Sequence, residues 1–142
     1  LIKNNVLSKI YQNGKVFKDS LNKLIKVYDL ENFFNCDGHP SRTVLTIKSN
    51  NTFMFPLITK TFVQQEILKN GILWSGYHCI TYTFNNKDIN HALKAYENTF
   101  KKIILIKNKK QNLKKYIKGS LLKQVFTRVA DFQAASLKVY SK

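Results

Sequence analysis

The most constraining feature of the sequence is a long helix with a single apolar face. Within residues 4–28, apolar residues and one glycine recur at alternating steps of three and four positions: Leu7, Ile10, Gly14, Phe17, Leu21, Leu24 and Tyr28. That spacing places them on one face of an α-helix, and lysines occupy the opposite face. Glycine costs about 1 kcal/mol in a helix interior, so Gly14 predicts the close approach of another backbone. Such a helix needs a second layer to cover its apolar face.

Short strand-like segments follow this helix. Residues 30–36 and 43–48 are rich in β-forming residues and predict two strands, with a turn-rich loop over residues 35–41. Residues 52–55 fit either a short strand or the approach to the next helix.

A second helix is predicted over residues 56–70. A proline opens it and Gly71 follows it as a C-terminal stop. Residues 72–74 and 79–84 then predict two more short strands.

The third helix has the clearest signal in the chain. Asn85, with Asp88 three residues later, predicts a capped start, and apolar residues then recur in steps of four and three. Sequential strands joined by short turns favour antiparallel pairing. We therefore predict an α+β domain over residues 1–106, with about three helices on one face of a small antiparallel sheet. Residues 107–142 are predicted to be a basic linker and tail, in which residues 125–132 fit one more strand or a docking segment.

The formal net charge of +16 raises the possibility of a nucleic-acid partner. Of 24 basic residues, only Arg42 and Arg128 are arginines, although arginine is the preferred fork for phosphates and base edges. The scattered lysines fit either the codon bias of an AT-rich genome on a solvated surface or a binding surface. The denser run from Lys101 to Lys118 favours binding more than the rest.

The cysteines and the lengths of the apolar runs indicate in which cellular compartment the protein belongs. Cys36 and Cys79 lie in apolar, strand-like contexts and are predicted to be two buried, reduced thiols, which fits a cytoplasmic protein. No His/Cys spacing typical of zinc, no signal peptide and no apolar run of about eighteen residues is present. The chain begins with Leu1 rather than Met, and we expect it to be a piece of a longer protein.

Six residues carry chemistry that could serve a site. His78 could be a general base, a ligand contact or a packed ring. Trp74, with Tyr77, could stack on a planar ligand or fill a domain interface. Arg42 is the only arginine in the first 127 residues and fits either a carboxylate or phosphate contact or a structural ion pair. His39 is expected to serve a turn and His91 to lie on the surface, off the apolar stripe of its helix.

The sequence from Gly71, GILWSGYHCITYTFNNKDINHALKAYENTFKKI, resembles the last strand–strand–helix unit of class III (fold-type I) pyridoxal-phosphate-dependent aminotransferases. The glutamate-1-semialdehyde aminomutase-like branch is the most similar. The residues that carry the pattern are Gly71, Gly76, Tyr77, His78, Asp88, Ile89, Leu93, Ala95 and Tyr96. Three earlier stretches are similar to the preceding units of the same domain: VLSKIYQNGKVFKDSLNKLIKVYDLENF, GHPSRTVLTIK and FVQQEILKNGIL. Together they span residues 4–106.

The resemblance implies that this chain is the C-terminal small domain of an aminotransferase or aminomutase. Such an enzyme moves an amino group on a small amino acid, keto sugar or semialdehyde with pyridoxal 5'-phosphate as cofactor. A large domain of the same protein would supply the Schiff-base lysine and most cofactor contacts, so this chain alone would hold no catalytic residue and be inactive. The residues implied at the edge of the substrate pocket are Trp74, Gly76, Tyr77 and His78, with Arg42 as a possible anion contact. The intact protein would be a cytoplasmic homodimer.

Two other classes of function remain open from the sequence. One is a basic nucleic-acid-binding module that uses residues 101–118 with exposed aromatic rings. The other is a plain interaction domain with no ligand. Steep salt dependence of oligonucleotide binding would favour the first, and an exposed apolar face with no cofactor partner would favour the second.

Overall fold

The computed structural model of the protein describes residues 5–48, 53 and 55–122. Three helices, three strands and one 3₁₀ turn follow in this order: α1 Val6–Val27, β1 Phe34–His39, β2 Arg42–Ile47, α2 Pro56–Lys69, β3 Tyr77–Cys79, α3 Asn86–Asn108 and the turn Leu113–Tyr116. The α+β class is confirmed.

The three strands form one antiparallel sheet in the order β1-β2-β3. Across it, His39 of β1 lies opposite Arg42 of β2, and Arg42 lies opposite Cys79 of β3. Burial alternates along β2, where Thr43 and Leu45 are buried and their neighbours are exposed. One face of the sheet therefore carries the core and the helices, and the other face is open.

Helix α1 lies across the buried face and contacts both β1 and β2. Gly14 is the point of closest approach, because a Cβ there would lie 1.9 Å from the carbonyl oxygen of Pro40 in the β1–β2 turn. The close backbone contact predicted from Gly14 is thus confirmed. The predicted stripe is confirmed in part: Phe17 and Leu21 are fully buried, and Ile10, Leu24 and Tyr28 pack against the core. Leu7 is exposed instead, and Ile25, which the stripe did not include, is buried.

The caps of the other two helices also agree with the sequence. Asn85 accepts a hydrogen bond from the Lys87 amide, and Asp88 accepts one from the Asn85 amide, which completes a capping box at the start of α3. Helix α2 begins at Pro56 and ends at Lys69, and Gly71 follows with a positive φ of 76°. The 56–70 helix is therefore confirmed.

The predicted strands are less accurate than the predicted helices. The first hairpin is tighter than expected, because β1 runs from Phe34 through His39 and only Pro40 and Ser41 turn the chain. The loop predicted over residues 35–41 is therefore mostly strand, and residues 31–33 form a turn rather than the start of a strand. Of the segment 52–55, only Phe53 and Phe55 are described.

The second pair of predicted strands is wrong. Residues 72–74 have no regular structure, and Cys79 ends a strand instead of starting one. Strand β3 occupies Tyr77–Cys79 because Ile80 donates its amide proton to Ser41 at 2.9 Å and Leu45 donates to Gly76 at 3.1 Å. These bonds fix the register to β2, and the chain then turns through Tyr82 and Thr83 toward α3.

The segment after α3 returns to the domain as far as it is described. Leu113 is fully buried, and Gln65 of α2 bonds with the backbone of Tyr116 and Lys118. The division of the chain into residues 1–106 and 107–142 stays a prediction. The segment 125–132, predicted as a strand or docking segment, lies outside the described residues.

Two further sequence predictions meet the structure here. Cys36 is buried as predicted, but Cys79 is exposed, because its side chain faces away from the core. Both thiols are free. No helix within the described ranges is long and apolar enough to cross a membrane.

Candidate functional site

Strand β3 separates the predicted pocket-edge residues onto two sides. His78 lies opposite Thr43 and faces the core, whereas Tyr77 lies opposite the exposed Val44 and Cys79 opposite the exposed Arg42. Alternation along a strand dictates this arrangement. The segment from Tyr77 to Cys79 is thus a strand with an inner and an outer side, and it is not merely a connection between the strands predicted over residues 72–74 and 79–84.

The His78 ring is held inside the domain by two hydrogen bonds. Its Nδ1 lies 3.0 Å from the Thr43 hydroxyl, and its Nε2 lies 2.5 Å from the Tyr96 hydroxyl. The ring also packs edge-on against Phe17, with centroids 4.8 Å apart. Both ring nitrogens therefore have hydrogen-bond partners. Of the three roles that the sequence allows for His78, this geometry corresponds to the packed ring.

Burial sets the protonation of this cluster. It lowers the pKa of His78 to about 4, and the contact with Thr43 opposes the shift only in part. Burial also raises the pKa of Tyr96 well above its ordinary value. At neutral pH both groups are uncharged, so one ring nitrogen donates and the other accepts. A neutral histidine held in this way stabilises the core, and it has no free nitrogen to offer a ligand.

Trp74 and Gly76 lie beside this cluster. Trp74 is 2% exposed, and its ring stands perpendicular to the Tyr96 ring at a centroid distance of 6.4 Å. The indole Nε1 is buried and has no hydrogen-bond partner among the described residues. Gly76 is buried with a φ of 115°, a backbone conformation that side chains rarely adopt. It shapes the bend that delivers the chain from Trp74 to β3.

An apolar cleft of about 340 Å³ runs along β3. All three residues of β3 line it, together with Leu73 and Trp74 from the preceding segment. The remaining lining residues are Phe17, Ile72, Ser75, Ile80, Phe84 and Ala92. No side chain with a formal charge at neutral pH lines this cleft. A second, smaller cleft of about 210 Å³ shares Leu73 and Trp74 with it and lies against α2.

Arg42 lies on the open side of the sheet. Its guanidinium carbon is 4.6 Å from the centroid of the Tyr77 ring, and both side chains are exposed. Within the described part of the chain it forms no ion pair, so the structural ion pair considered for it is not seen there. The cation–π contact fixes the guanidinium plane, and its N–H donors face solvent.

The other two histidines lie at the periphery. His39 closes the β1–β2 turn, with its Nδ1 2.9 Å from the Ser41 hydroxyl. His91 is exposed on α3 and lies 2.9 Å from the Asn70 carbonyl oxygen at the end of α2. The turn role of His39 and the surface position of His91 are both confirmed. Among the described residues, no group of three His, Cys, Asp or Glu side chains is placed to hold a metal ion.

Several lysines of the basic run are engaged within the domain. Lys101 pairs with Glu97 at 2.7 Å, and Lys107 stands over the Phe33 ring at 5.0 Å. Lys102 pairs with Glu66, a residue of α2 that is only 3% exposed and also pairs with Lys69. Burial alone would raise the pKa of Glu66, but hydrogen bonds from the two lysines and Gln65 lower it. These contacts join α2 to α3 and weaken the case for a nucleic-acid surface.

Sequence reasoning missed one residue that protects the sheet. Asn22 of α1 accepts a hydrogen bond from the Cys36 amide and donates one to the Cys36 carbonyl, both at 2.8 Å. The only signal in the sequence is an amide side chain beside the apolar stripe of a long helix. The partners of His78, Thr43 and Tyr96, are 35 and 18 residues away in sequence, so no local pattern links them.

The fold is similar to part of several solved transaminases. A structure described as a transaminase with PLP bound matches with a TM-score of 0.60 and 18% identity over 69% of this chain. A PLP-containing form of the Sphingopyxis sp. MTA144 FumI protein matches with a TM-score of 0.59 and 13% identity over 73% of it. An omega-transaminase from Sphaerobacter thermophilus matches with a TM-score of 0.55 and 8% identity over 68% of this chain.

These likenesses cover only a small share of the matched proteins. The chain spans 23% of the first structure and 24% of the other two. No protein-family model matches the sequence, and no curated protein is similar to it. At these identities the comparisons show the fold, which is shared with about a quarter of each matched chain.

The described residues that line the cleft along β3 do not by themselves fit pyridoxal phosphate. Its phosphate group requires several cationic or backbone donors, and its ring nitrogen requires an acidic partner. The cleft along β3 offers neither, because its lining is mostly apolar and His78 is committed to Thr43 and Tyr96. Arg42, on the open side of the sheet, would supply only one cationic group to a phosphate. Any cofactor would have to be held mainly by another part of the protein.

Proposed function

We propose that this chain is the small domain of a pyridoxal-phosphate-dependent aminotransferase or aminomutase, of the class III, glutamate-1-semialdehyde aminomutase-like kind. The observation that carries the proposal is the match of about 70% of the chain to one quarter of three transaminases, with TM-scores of 0.55 to 0.60. The sequence pattern from Gly71 onward supports the same assignment independently of the coordinates.

In this proposal the large domain of the same protein holds the cofactor and the Schiff-base lysine. The cofactor supplies the carbanion chemistry when it is bound. This chain would contribute an uncharged wall, because the His78 ring beside the cleft is neutral and bonded to Thr43 and Tyr96. Its substrate would be a small amino acid, keto sugar or semialdehyde, and the intact enzyme a homodimer.

We propose different roles for the predicted pocket-edge residues. Trp74 and Gly76, which are buried, and His78, which is half-buried, would support the course of β3. Tyr77 and Arg42 are the accessible pair, so we propose them as the residues that face the substrate side. The stacked Arg42 guanidinium would contact an anionic group there, since a planar fork suits a carboxylate or phosphate.

The decisive experiment is to express the complete open reading frame that contains these 142 residues, in the presence of pyridoxal phosphate. Borohydride treatment followed by peptide mass spectrometry should locate a pyridoxyl group on one lysine outside the present chain. The 142-residue chain, treated in the same way, is the control and should carry no site-specific adduct. A complete protein with no pyridoxyl lysine would contradict the proposal.

A further inference from the structure

The two edges of the sheet differ in how their backbone groups are satisfied. At the β1 edge, Asn22 bonds both the amide and the carbonyl of Cys36. Strand β3 forms the opposite edge. Hydrogen bonds from Ile80 to Ser41 and from Leu45 to Gly76 show that the residues opposite Cys79 and Tyr77 are non-hydrogen-bonded pairs. The amide and carbonyl groups of Tyr77 and Cys79 therefore point away from β2.

This free edge borders the apolar cleft of about 340 Å³. Leu73, at the rim of the cleft, is 89% exposed. Trp74 lines the same cleft, and its buried Nε1 has no acceptor among the described residues. Among the described residues, outward backbone groups without a partner and an apolar lining thus occur together along β3, beside the Trp74 indole. Backbone groups at a free edge are a template for pairing with another extended segment.

We propose that the β3 edge receives an extended segment of the large domain as a fourth strand, bonded to Tyr77 and Cys79 and filling the cleft with apolar side chains. The identity of this occupant rests on the proposed function. Two outward pairs about 7 Å apart suit alternate residues of an added strand.

A segment of the large domain is favoured over a second copy of this chain as the added strand, for two reasons. The net charge of +16 makes two copies repel each other. In addition, about three quarters of each matched chain lies outside the part that resembles this domain, so a longer polypeptide of that kind has ample material for such a segment. The uncharged lining of the cleft predicts that the docking residues are apolar.

Backbone amide exchange tests the proposal directly. In the 142-residue chain, the Tyr77 and Cys79 amides should exchange at least tenfold faster than the His78 amide, which faces β2. In the complete protein, the peptide covering residues 75–80 should become at least tenfold better protected. The pyridoxyl adduct, measured on the same sample, reports the proposed function separately. An adduct together with unprotected Tyr77 and Cys79 amides would overturn only the present inference, whereas a missing adduct would overturn its basis.

A matched pair of variants sharpens the test. Cys79→Pro removes the thiol and the outward N–H and fixes φ, whereas Cys79→Ala removes the thiol and keeps that N–H. In the 142-residue chain the two variants should melt within a few degrees of each other. In the complete protein, Cys79→Pro should lose the added protection of residues 75–80, and Cys79→Ala should keep it. Equal protection in both variants would contradict strand addition.

Two other occupants give distinct results, and either would overturn the assignment to the large domain. If a second copy pairs with β3, protection in the 142-residue chain will rise with its concentration, and sedimentation will show a dimer. If residues 123–142 cover the edge, the 142-residue chain will already be protected at low concentration, and truncation after Leu122 will remove that protection.

Discussion

The two edges of the sheet represent two solutions to the same problem. An edge strand presents unpaired backbone groups that must be satisfied by water, by a side chain or by another strand. At the β1 edge the domain satisfies Cys36 with Asn22 of its own helix. At the β3 edge, no described side chain plays that part for Tyr77 or Cys79, and an apolar cleft lies beside them.

The difference indicates which side of the domain is complete. The β1 side is closed by α1, whose position is set by the contact between Gly14 and Pro40. The β3 side is rigid within, where His78 is bonded to Thr43 and Tyr96, but unfinished outside. A domain that is sealed on one edge and open on the other is suited to serve as a part of a larger protein. The predictions below test each half of this comparison.

The largest effect is expected from Gly14→Ala, which attacks the sealed side. The new Cβ would lie 1.9 Å from the Pro40 carbonyl oxygen, so α1 or the hairpin must move. We expect the free energy of unfolding to fall by about 3 kcal/mol or more, measured by urea denaturation. Lys15→Ala, at the adjacent exposed position, is the control and should cost about 0.5 kcal/mol or less. Equal losses in the two variants would mean that the helix–hairpin contact is not tight.

The next effect is expected from Asn22→Ala, which removes the cap of the β1 edge. The amide and carbonyl of Cys36 would both lose their partner, and burying unpaired polar groups costs about 2 to 3 kcal/mol. Asn13→Ala on the same helix is the matched control. Its side chain makes one bond, to the Phe84 carbonyl at 2.6 Å, and we expect about 1 kcal/mol. If Asn22→Ala costs no more than Asn13→Ala, the sealed edge is not a stabilising feature.

The sequence predicts the helical half of the domain better than the sheet. Helix ends follow local signals, such as the Asn85 capping box, and the Gly14 contact follows from a glycine in an apolar stripe. The position of β3 does not follow from a local signal, because residues 79–84 also have a strongly β-forming composition. Long-range bonds from Ile80 and Leu45 select residues 77–79 instead.

The candidate site shows the same limit. The sequence singles out Trp74, Tyr77 and His78, and the structure places all three along one cleft. The sequence alone does not show which residues of β3 face the core and which face outward, because that depends on the pairing of β3 with β2. The Asn22 bonds to Cys36 join residues 14 positions apart on different elements, so no periodic pattern reveals them.

The inner side of β3 predicts a specific pH dependence. The pKa of His78 in the folded chain, about 4, lies below its ordinary value of 6.5. As the pH falls, the unfolded chain takes up this proton first, so the stabilisation present above pH 6.5 is lost between 6.5 and 4. From pH 7 to pH 5 we expect a loss of about 2 kcal/mol in the free energy of unfolding.

Comparison with variants assigns that loss to His78. His78→Gln, which keeps hydrogen-bonding groups but does not titrate, should flatten the dependence between pH 7 and pH 5. His91→Gln removes an exposed histidine and should leave the slope close to that of the unchanged chain. Glu66 does not interfere in this range, because its lowered pKa places its own effect at lower pH. A slope unaffected by His78→Gln would contradict the buried, uncharged state of this ring.

The smallest effect is expected on the outer side of β3, where Arg42 stacks on Tyr77. The pair is exposed, so a cation–π contact there is worth about 0.5 to 1 kcal/mol, and we expect Arg42→Ala or Tyr77→Leu to cost no more in the 142-residue chain. A double-mutant cycle measured by urea denaturation should give a coupling energy within the same range. A coupling well above 2 kcal/mol would mean that this pair belongs to the structure of the domain itself. That result would contradict the proposal that the open side of the sheet faces a substrate and a large domain.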